Sequence, residues 1–511
     1  MMLKTSATVS AALLLAGCAT VPAGTVAPSS AGLSSLAKVG SVDERFLSYN
    51  VEMVEVTGGR FWRPYGSPGT DRHEYRPPLD LSNRKLRALA AALGPSYVRV
   101  SGTWANATWF ADTDQAPEKA PAGFDTVLTR QQWRGVVDFV KAVDGRIVTS
   151  VATSPGTRDA QGAWKVDNVA RLFAYSRSIG GAIAATEFAN EPNMAWLMQA
   201  PANYSGADYR RDYTTFATWL RKTYPDTLLL APGLSELGEP TRTISRRNRE
   251  RKIFEGDDLI TADSPRPDGF SYHYYGGGSQ RCGGAVLGMS LANALSPQWL
   301  DGVDPIIASV GALRDRTAPG VPLWNTESAE SSCGGNPWAA TFADSFRFVD
   351  TLGRSARQGV QVYIHNTLLA SDYALLDEHG AVPRPNYWAA VLWKRLMGST
   401  VLAAPASPAP ELRIYAHCLV GKPGGVALAA LNLGDTAQTL TAGSQARAWV
   451  MRASTAALDT KAILINDRQP SADEAGRLSG LEGAPASGTV SVPGKAIAFV
   501  AVENAGNPAC R

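Results

Sequence analysis

Two glutamates stand in contexts that suit carbohydrate chemistry. Glu191 lies in Phe188-Ala189-Asn190-Glu191-Pro192-Asn193, and Glu327 closes Leu323-Trp324-Asn325-Thr326-Glu327. Each follows a short run of apolar, β-branched or aromatic residues, which reads as a buried strand. A pair of carboxyl groups delivered to one mouth can divide the work of glycoside hydrolysis. At a separation of roughly 5–5.5 Å, one attacks the anomeric carbon as the ion while the other keeps a proton for the leaving oxygen. Their environments must hold the two pKa values apart. Asn190, next to the acid, can donate to the sugar 2-hydroxyl, a contact that tightens in the transition state. A lone strand-end glutamate is usually a surface or ion-pair residue; the pair together with the Asn-Glu-Pro motif makes the reading specific.

Other polar residues are less telling. Glu187 lies four residues before Glu191, hence on the same face of the strand but deeper; a buried charge there needs a partner, and Arg99 is the candidate, so both read as structural or supporting residues. The five histidines, His73, His273, His365, His379 and His417, lack metal-ligand spacing, and neither metal nor cofactor is expected. His273 reads as a packing residue or as one that supports the catalytic groups. Gly276-Gly277-Gly278 is a loop without the lysine and helix of a phosphate-binding motif. The run 242–252 gathers Arg246, Arg247, Arg249 and Arg251, which reads first as a solvated face and second as a contact to an anionic glycan.

The elements that must position the pair recur as strand then helix. Strands are predicted at Phe46–Glu52, Tyr97–Gly102, Arg146–Thr153, Ala185–Glu191, Leu228–Pro232, Gly269–Tyr275, Leu323–Glu327 and Gln361–Thr367, with helical periodicity between them at Ser82–Leu93, Arg130–Val143, Asp167–Ile179, Asp208–Tyr224 and Ala340–Gln358. Eight such units predict an α/β fold, a (β/α)₈ barrel, with Glu191 ending the fourth strand and Glu327 the seventh. Long insertions after the first, second, fifth and sixth strands belong at the C-terminal mouth. Beyond Leu402 the texture changes to short strands at Leu412–Leu419, Val426–Leu433, Ala446–Arg452, Ala462–Ile465, Val490–Val492 and Ala496–Val502, which predict a β-sandwich that a segment before Phe46 can join.

The formal charge of +3, from 49 basic and 46 acidic residues, is too balanced for nucleic-acid binding by bulk electrostatics. Near the start, Lys4, the apolar run Ala11–Leu15 and Leu15-Ala16-Gly17-Cys18 read as an export signal, too short for a membrane span. The ending resembles a bacterial lipobox, which implies acylation of Cys18, and Ala19 favours the outer membrane. The expected organisation is a signal at 1–17, a flexible Ala/Ser/Pro/Gly tether at 18–40, the barrel at 41–402 and the sandwich at 403–511. Cys282, Cys333, Cys418 and Cys510 remain, an even set suited to two disulfides in an oxidising compartment; spacing alone permits three connectivities. A monomer is expected.

From about Val42 to Cys510 the chain resembles glycoside hydrolase family 79, the heparanase-like β-glucuronidases. The resemblance rests on Phe46-Leu47-Ser48, Gly94-Pro95-Ser96-Tyr97-Val98-Arg99, Ser101-Gly102-Thr103, Asn190-Glu191-Pro192-Asn193, His273-Tyr274-Tyr275 and Pro385-Asn386-Tyr387-Trp388. In the tail it rests on Leu412-Arg413-Ile414-Tyr415-Ala416-His417-Cys418 and Ala509-Cys510. It implies a retaining enzyme on β-linked uronic-acid glycans, with Glu191 as acid/base, Glu327 as nucleophile and Asn190 at the 2-hydroxyl. It also implies Tyr274 bonded to the nucleophile, Glu52 and Thr103 lining the sugar, and Tyr373 at the uronate carboxylate. Cys333-Gly334-Gly335 departs from the family's Tyr-Gly-Gly, although the amides of Gly334 and Gly335 can still approach a carboxylate. The family pattern implies Cys418–Cys510, and Cys282–Cys333 is expected to link the loops after strands six and seven. The alternatives are a relative acting on neutral β-glycosides and an inactive glycan-binding lipoprotein.

Overall fold

The computed structural model describes residues 32–237, 253–283 and 290–511. The export signal, Cys18 and the basic run 242–252 lie outside the described residues. Eight parallel strands close into a barrel: β1 (Leu47–Glu52), β2 (Ser96–Ser101), β3 (Gly145–Ser150), β4 (Ile183–Glu187), β5 (Leu228–Leu237), β6 (Gly269–Tyr275), β7 (Leu323–Ala329) and β8 (Val360–His365). Consecutive strands pair in parallel, and β8 pairs with β1 to complete the circle.

Helices α1 (Arg84–Ala91), α2 (Arg130–Ala142), α3 (Asp167–Ser178), α4 (Gly206–Thr223), α5 (Val303–Thr317), α6 (Phe342–Arg357) and α7 (Pro385–Leu396) surround it. Their starts are written locally: Thr129 and Gln132 form a reciprocal cap on α2, Ser205 and Asp208 one on α4, and Pro385 occupies the first turn of α7. On α2 the buried residues Trp133, Val136, Val137 and Val140 recur at helical spacing and turn one stripe to the barrel.

The lumen is filled from the bottom by Tyr97, Val148, Ala185, Leu230, Trp324, Val362 and Ile364. Side chains on a strand alternate between faces, so the next inward positions up from Tyr97 and Ala185 are Arg99 and Glu187. An apolar plug thus underlies a charged layer. On β7 the pairing with β6 skips Thr326, passing from Asn325 opposite Tyr272 to Glu327 opposite His273. This irregularity lets the consecutive Thr326 and Glu327 both reach the lumen.

The C-terminal part is one curled antiparallel sheet of β9 (Met397–Leu402), β10 (Leu412–Leu419), β11 (Val426–Asn432), β12 (Gln438–Ala453), β13 (Ile463–Ile465), β14 (Ala484–Val492) and β15 (Ala496–Val502). The strand Lys38–Ser41 joins its edge by pairing with β9. Alternation divides the sheet: Leu428, Ala430, Ala498 and Val500 fill its own concave core, while Ala429, Leu431, Ile497 and Phe499 join the barrel's core. Two boundaries therefore shift from expectation. The sheet begins at Met397 rather than after Leu402, and the last residues of the expected tether are a paired strand.

Both cysteine pairs close as expected. Cys282–Cys333 and Cys418–Cys510 are disulfides, with Cα–Cα distances of 6.5 and 5.2 Å.

Candidate active site

Arg99 is the hub of the charged layer. It is fully buried, and its guanidinium donates Nε and Nη2 to Glu187 Oε2 at 3.0 and 2.9 Å, Nη1 to Glu327 Oε2 at 2.9 Å and Nη2 to Asn190 Oδ1 at 2.8 Å. Burial works against a charged guanidinium, but Glu187 and Glu327 outweigh it and raise the Arg99 pKa. For Glu187, burial pushes upward, but the charges of Arg99 and His273 and the hydrogen bonds from Thr326 and Arg99 together outweigh it and lower that carboxyl; its other oxygen accepts from Thr326 Oγ1 at 2.8 Å. The pairing anticipated between Arg99 and Glu187 is therefore present, and it reaches on to Glu327 and to Asn190, the residue before Glu191.

Glu191 lies four residues past the end of β4, in the following turn rather than on the strand, with a left-handed backbone at φ +51°. That conformation costs a non-glycine residue and is held by its surroundings. Asn106 fixes the preceding residue on both sides: its side chain donates to Asn190 O at 3.0 Å and accepts from Asn190 N at 3.0 Å. With Oδ1 of Asn190 committed to Arg99, its buried Nδ2 has no partner among the described residues. Glu191 Oε1 meets His273 Nδ1 at 3.2 Å, and its second oxygen has no partner among the described residues.

His273 stands between the two glutamates, 3.7 Å from Glu327 Oε2. Burial alone lowers its pKa, but the charge of Glu327 and the bond to Glu191 prevail and raise it. Glu191, His273 and Glu327 each offer an atom to a group lying within 4.8 Å of one another. A group of that size resembles a metal site, yet its donors are already engaged. Arg99 Nη1 holds one oxygen of Glu327, and Arg99 Nη2 lies 3.3 Å from His273 Nε2, a cation where a metal would be repelled.

The other oxygen of Glu327 accepts from the hydroxyl of Tyr275, not of Tyr274. This corrects the expectation from the sequence. Tyr274 is buried in the hydrophobic core outside the strands, with Val303, Ile307 and Phe346 in the same cluster. Period-two alternation explains the difference: His273 faces the lumen, so Tyr275 does too and Tyr274 cannot.

Asn366, just past β8, draws the remaining residues together. Its Nδ2 lies 3.1 Å from Glu52 Oε1, 3.0 Å from the Tyr275 hydroxyl and 3.0 Å from the Tyr373 hydroxyl. Glu52 is buried, and that burial, reinforced by the charge of Glu327, pushes its carboxyl well above the usual carboxylate range. Its Oε2 is unpartnered among the described residues. Gly102 leaves the room for it: a Cβ there would lie 1.6 Å from Glu52 Oε2. Thr103 opens the short turn after Gly102 and is partly exposed.

Gly334 and Gly335 are buried, with φ of +82° and +90°. The Gly334 carbonyl is turned away to accept from Ser371 Oγ at 2.9 Å and Asp372 N at 3.1 Å. The N–H groups of Gly334 and Gly335 have no partner among the described residues. A Cβ on Gly335 would stand 3.2 Å from Tyr373 N, so Gly335 packs closely on the backbone of the tyrosine that Asn366 holds.

Sequence reasoning missed Tyr275, Asn106 and Asn366. Alternation signalled the first. The other two lie outside the barrel strands and are brought in by tertiary folding, with no local motif to mark them.

No family model matches the chain. It is distantly similar to the heparanases. Heparanase-like protein 1 of Arabidopsis thaliana is 27% identical over 377 residues, 70% of this chain and 65% of the relative; heparanase of Mus musculus is 26% identical over 430 residues, 74% and 72%. Hyaluronoglucuronidase of Hirudo nipponia is 23% identical over 432 residues, 76% and 83%. The match covers less than two thirds of the length of the Arabidopsis heparanase-like proteins 1 and 2. The fold agrees with solved structures of a 4-O-α-L-rhamnosyl-β-D-glucuronidase from Fusarium oxysporum, with a TM-score of 0.59, 13% identity and coverage of 91% and 99%. It also agrees with an α-L-arabinofuranosidase from Thermotoga petrophila, with a TM-score of 0.60, 13% identity and coverage of 92% and 98%.

Proposed function

We propose that the protein is a retaining glycoside hydrolase that cleaves β-linked glucuronic-acid residues in glycans. Glu327 attacks the anomeric carbon and Glu191 serves first as acid, then as base. The spacing supports retention, because the glutamates contribute to a set of atoms within 4.8 Å of one another, whereas inversion needs roughly 6.5–9.5 Å to admit a water. Arg99 and Tyr275 both donate to Glu327, so its oxygens are held as acceptors, the form that attacks. The free oxygen of Glu191 faces the work of protonating the leaving group, and the unpartnered Asn190 amide suits the sugar 2-hydroxyl.

The choice of a uronate rests on one observation: the two successive buried, unpartnered amides of Gly334 and Gly335 beside Tyr373. Buried N–H groups left without a partner are costly, and a ligand carboxylate would satisfy both through charge-assisted bonds. An aryl β-glucuronide should therefore be hydrolysed at least about 10²-fold faster than the aryl β-glucoside, with retained configuration by NMR of the first product. Equal or reversed rates would favour a neutral glycoside; no turnover with retained glycan binding would favour a binding protein.

Export follows from the sequence proposal. Cys18 is acylated and tethers the enzyme to the bacterial outer membrane, since several acyl chains at about 0.8 kcal/mol per buried CH₂ anchor stably. Among the described residues no helix is long and apolar enough to cross a membrane. Cys18→Ser should free the protein from the membrane fraction or halt its maturation; an unacylated, soluble wild type would refute the anchor.

A further inference from the structure

The insertion after β1 forms a hairpin of two short strands, Gly59–Trp62 and His73–Arg76, joined by the loop 63–72. It reaches far from its own strand. Tyr65 donates its backbone N–H to Asp372 at 3.3 Å, and its hydroxyl meets the buried Ser279 Oγ at 2.8 Å. Arg281, beside the Cys282–Cys333 disulfide, donates to Arg63 O at 2.7 Å, stacks 4.0 Å above the Tyr65 ring and pairs with Asp372. Arg76 pairs with Glu378, and Trp104 Nε1 donates to Arg60 O at 3.1 Å. The hairpin is thus clasped to the loops after β2, β6 and β8. Trp62 covers the loop after β7, since a Cβ on Gly334 would lie 2.7 Å from Trp62 Cβ.

Among the described residues the clasp occupies one side of the mouth. Among the described residues none of its hydrogen bonds or ion pairs runs to the loops after β3, β4 or β5. Glu191 follows β4, on that unclasped side. An acid that protonates the leaving oxygen must have the aglycone next to it, so the leaving group exits by the unclasped side. The glycone then lies toward Glu327 and the hairpin. In a hexuronate the carboxylate is borne on C5, and O4 is on the neighbouring carbon. A carboxylate seated on Gly334 and Gly335 therefore places O4 close to the very residues that Trp62 and the loop 63–72 cover.

We infer that this hairpin is a wall closing the glycone end of the cleft, so that the enzyme removes single terminal uronic-acid residues and rejects chains extended at O4. The inference rests on the uronate reading of Gly334 and Gly335, and it names the form of substrate that the site accepts.

The test uses the full chain. By calorimetry, glucuronic acid should bind and 4-O-methyl-glucuronic acid should bind at least about tenfold more weakly, since the added methyl meets the wall. On a 4-linked acidic oligosaccharide, monosaccharide should be the sole early product. Equal binding of the two sugars, or binding of neither, overturns the inference; so do early internal cuts. Turnover of an aryl β-glucuronide is read alongside. Its presence with internal cuts sinks the wall but spares the proposed function, whereas its absence sinks the proposed function. Replacing residues 63–72 by Asn-Gly, a two-residue hairpin turn, should restore binding of the 4-O-methyl sugar. The wild-type measurements decide the matter even if that variant does not fold.

Discussion

Arg99 lays two N–H groups on a single oxygen of Glu187, Nε at 3.0 Å and Nη2 at 2.9 Å, which leaves its third nitrogen, Nη1, aimed at Glu327. A lysine has the charge without the fork. Arg99→Lys should therefore lower kcat by about 10²-fold with a smaller effect on KM. Glu187→Gln, which leaves the guanidinium underpaired, should cost about 3–5 kcal/mol of stability by denaturant melts. Wild-type kcat in Arg99→Lys would refute its role in positioning the nucleophile.

The two tyrosines at the end of β6 separate cleanly. Tyr275→Phe removes the hydroxyl on Glu327 and should reduce kcat by roughly 10–10²-fold with little change in melting temperature. Tyr274→Phe, in the outer core, should leave kcat within about twofold. Steady-state kinetics of the pair checks this, and the opposite ranking would overturn the assignment.

The glutamates should fail differently. Glu327→Gln cannot form a glycosyl-enzyme and should be inactive on every substrate. Glu191→Gln should still release a good leaving group such as dinitrophenolate in a burst, then stall for want of a base. Azide should rescue it and give a β-glycosyl azide. Mass spectrometry of the stalled enzyme should place the sugar on the peptide containing Glu327; a label on another carboxylate would reject the mechanism.

Glu330 links pH to stability. It is buried at the start of the loop after β7 and accepts from Asn336 N at 3.0 Å and Nδ2 at 2.8 Å. Burial, then the charge of Asp344, raises its pKa to about 7. The folded state thus binds a proton that the unfolded state releases from about pH 4.5 upward, so this group's contribution falls as pH rises from there to about 7. His365 and His417, both lowered by burial to about 4, act in the opposite sense between about pH 4 and 6.5. The difference between variants isolates Glu330. Glu330→Gln should gain on the wild type by on the order of 1–3 kcal/mol between pH 5 and 8, and a pH-independent difference would show the group is not titrating there.

Cys282–Cys333 holds the loop that presents Gly334 and Gly335. Opening it with Cys282→Ala and Cys333→Ala should raise KM for an aryl β-glucuronide by about tenfold and leave the aryl β-glucoside nearly unchanged. The Cys418–Cys510 bridge spans 92 residues, for which chain entropy suggests about 4–5 kcal/mol, so its loss should appear in the melt and not in KM.

Much of this was legible in the sequence where the signal is periodic. The eight barrel strands and the tail strands come from runs whose alternation or β-branched content is local, and each expected run overlaps an observed strand, although β12 begins at Gln438 rather than Ala446 and β14 at Ala484 rather than Val490. Helices α5 and α7 were not marked, because α7 is apolar nearly all round and so carries no stripe. Glu191 was readable as a residue but not as a turn, since a left-handed φ on a glutamate is imposed by Asn106 and the packing around it. Asn366 and Arg281 act only because loops from opposite ends of the chain meet, and nothing within a short window announces that.

The strand Lys38–Ser41 is paired along β9, and Asn507 Nδ2 donates to Leu33 O and Leu36 O at 2.8 and 2.9 Å. The two ends of the described chain are thereby hydrogen-bonded to each other beside the same sheet. If the preceding segment is a tether, a pull on it is carried in shear by the ladder between Lys38–Ser41 and β9 and does not load the barrel. Tension from that direction would strain the edge of the sheet while the mouth of the barrel keeps its shape.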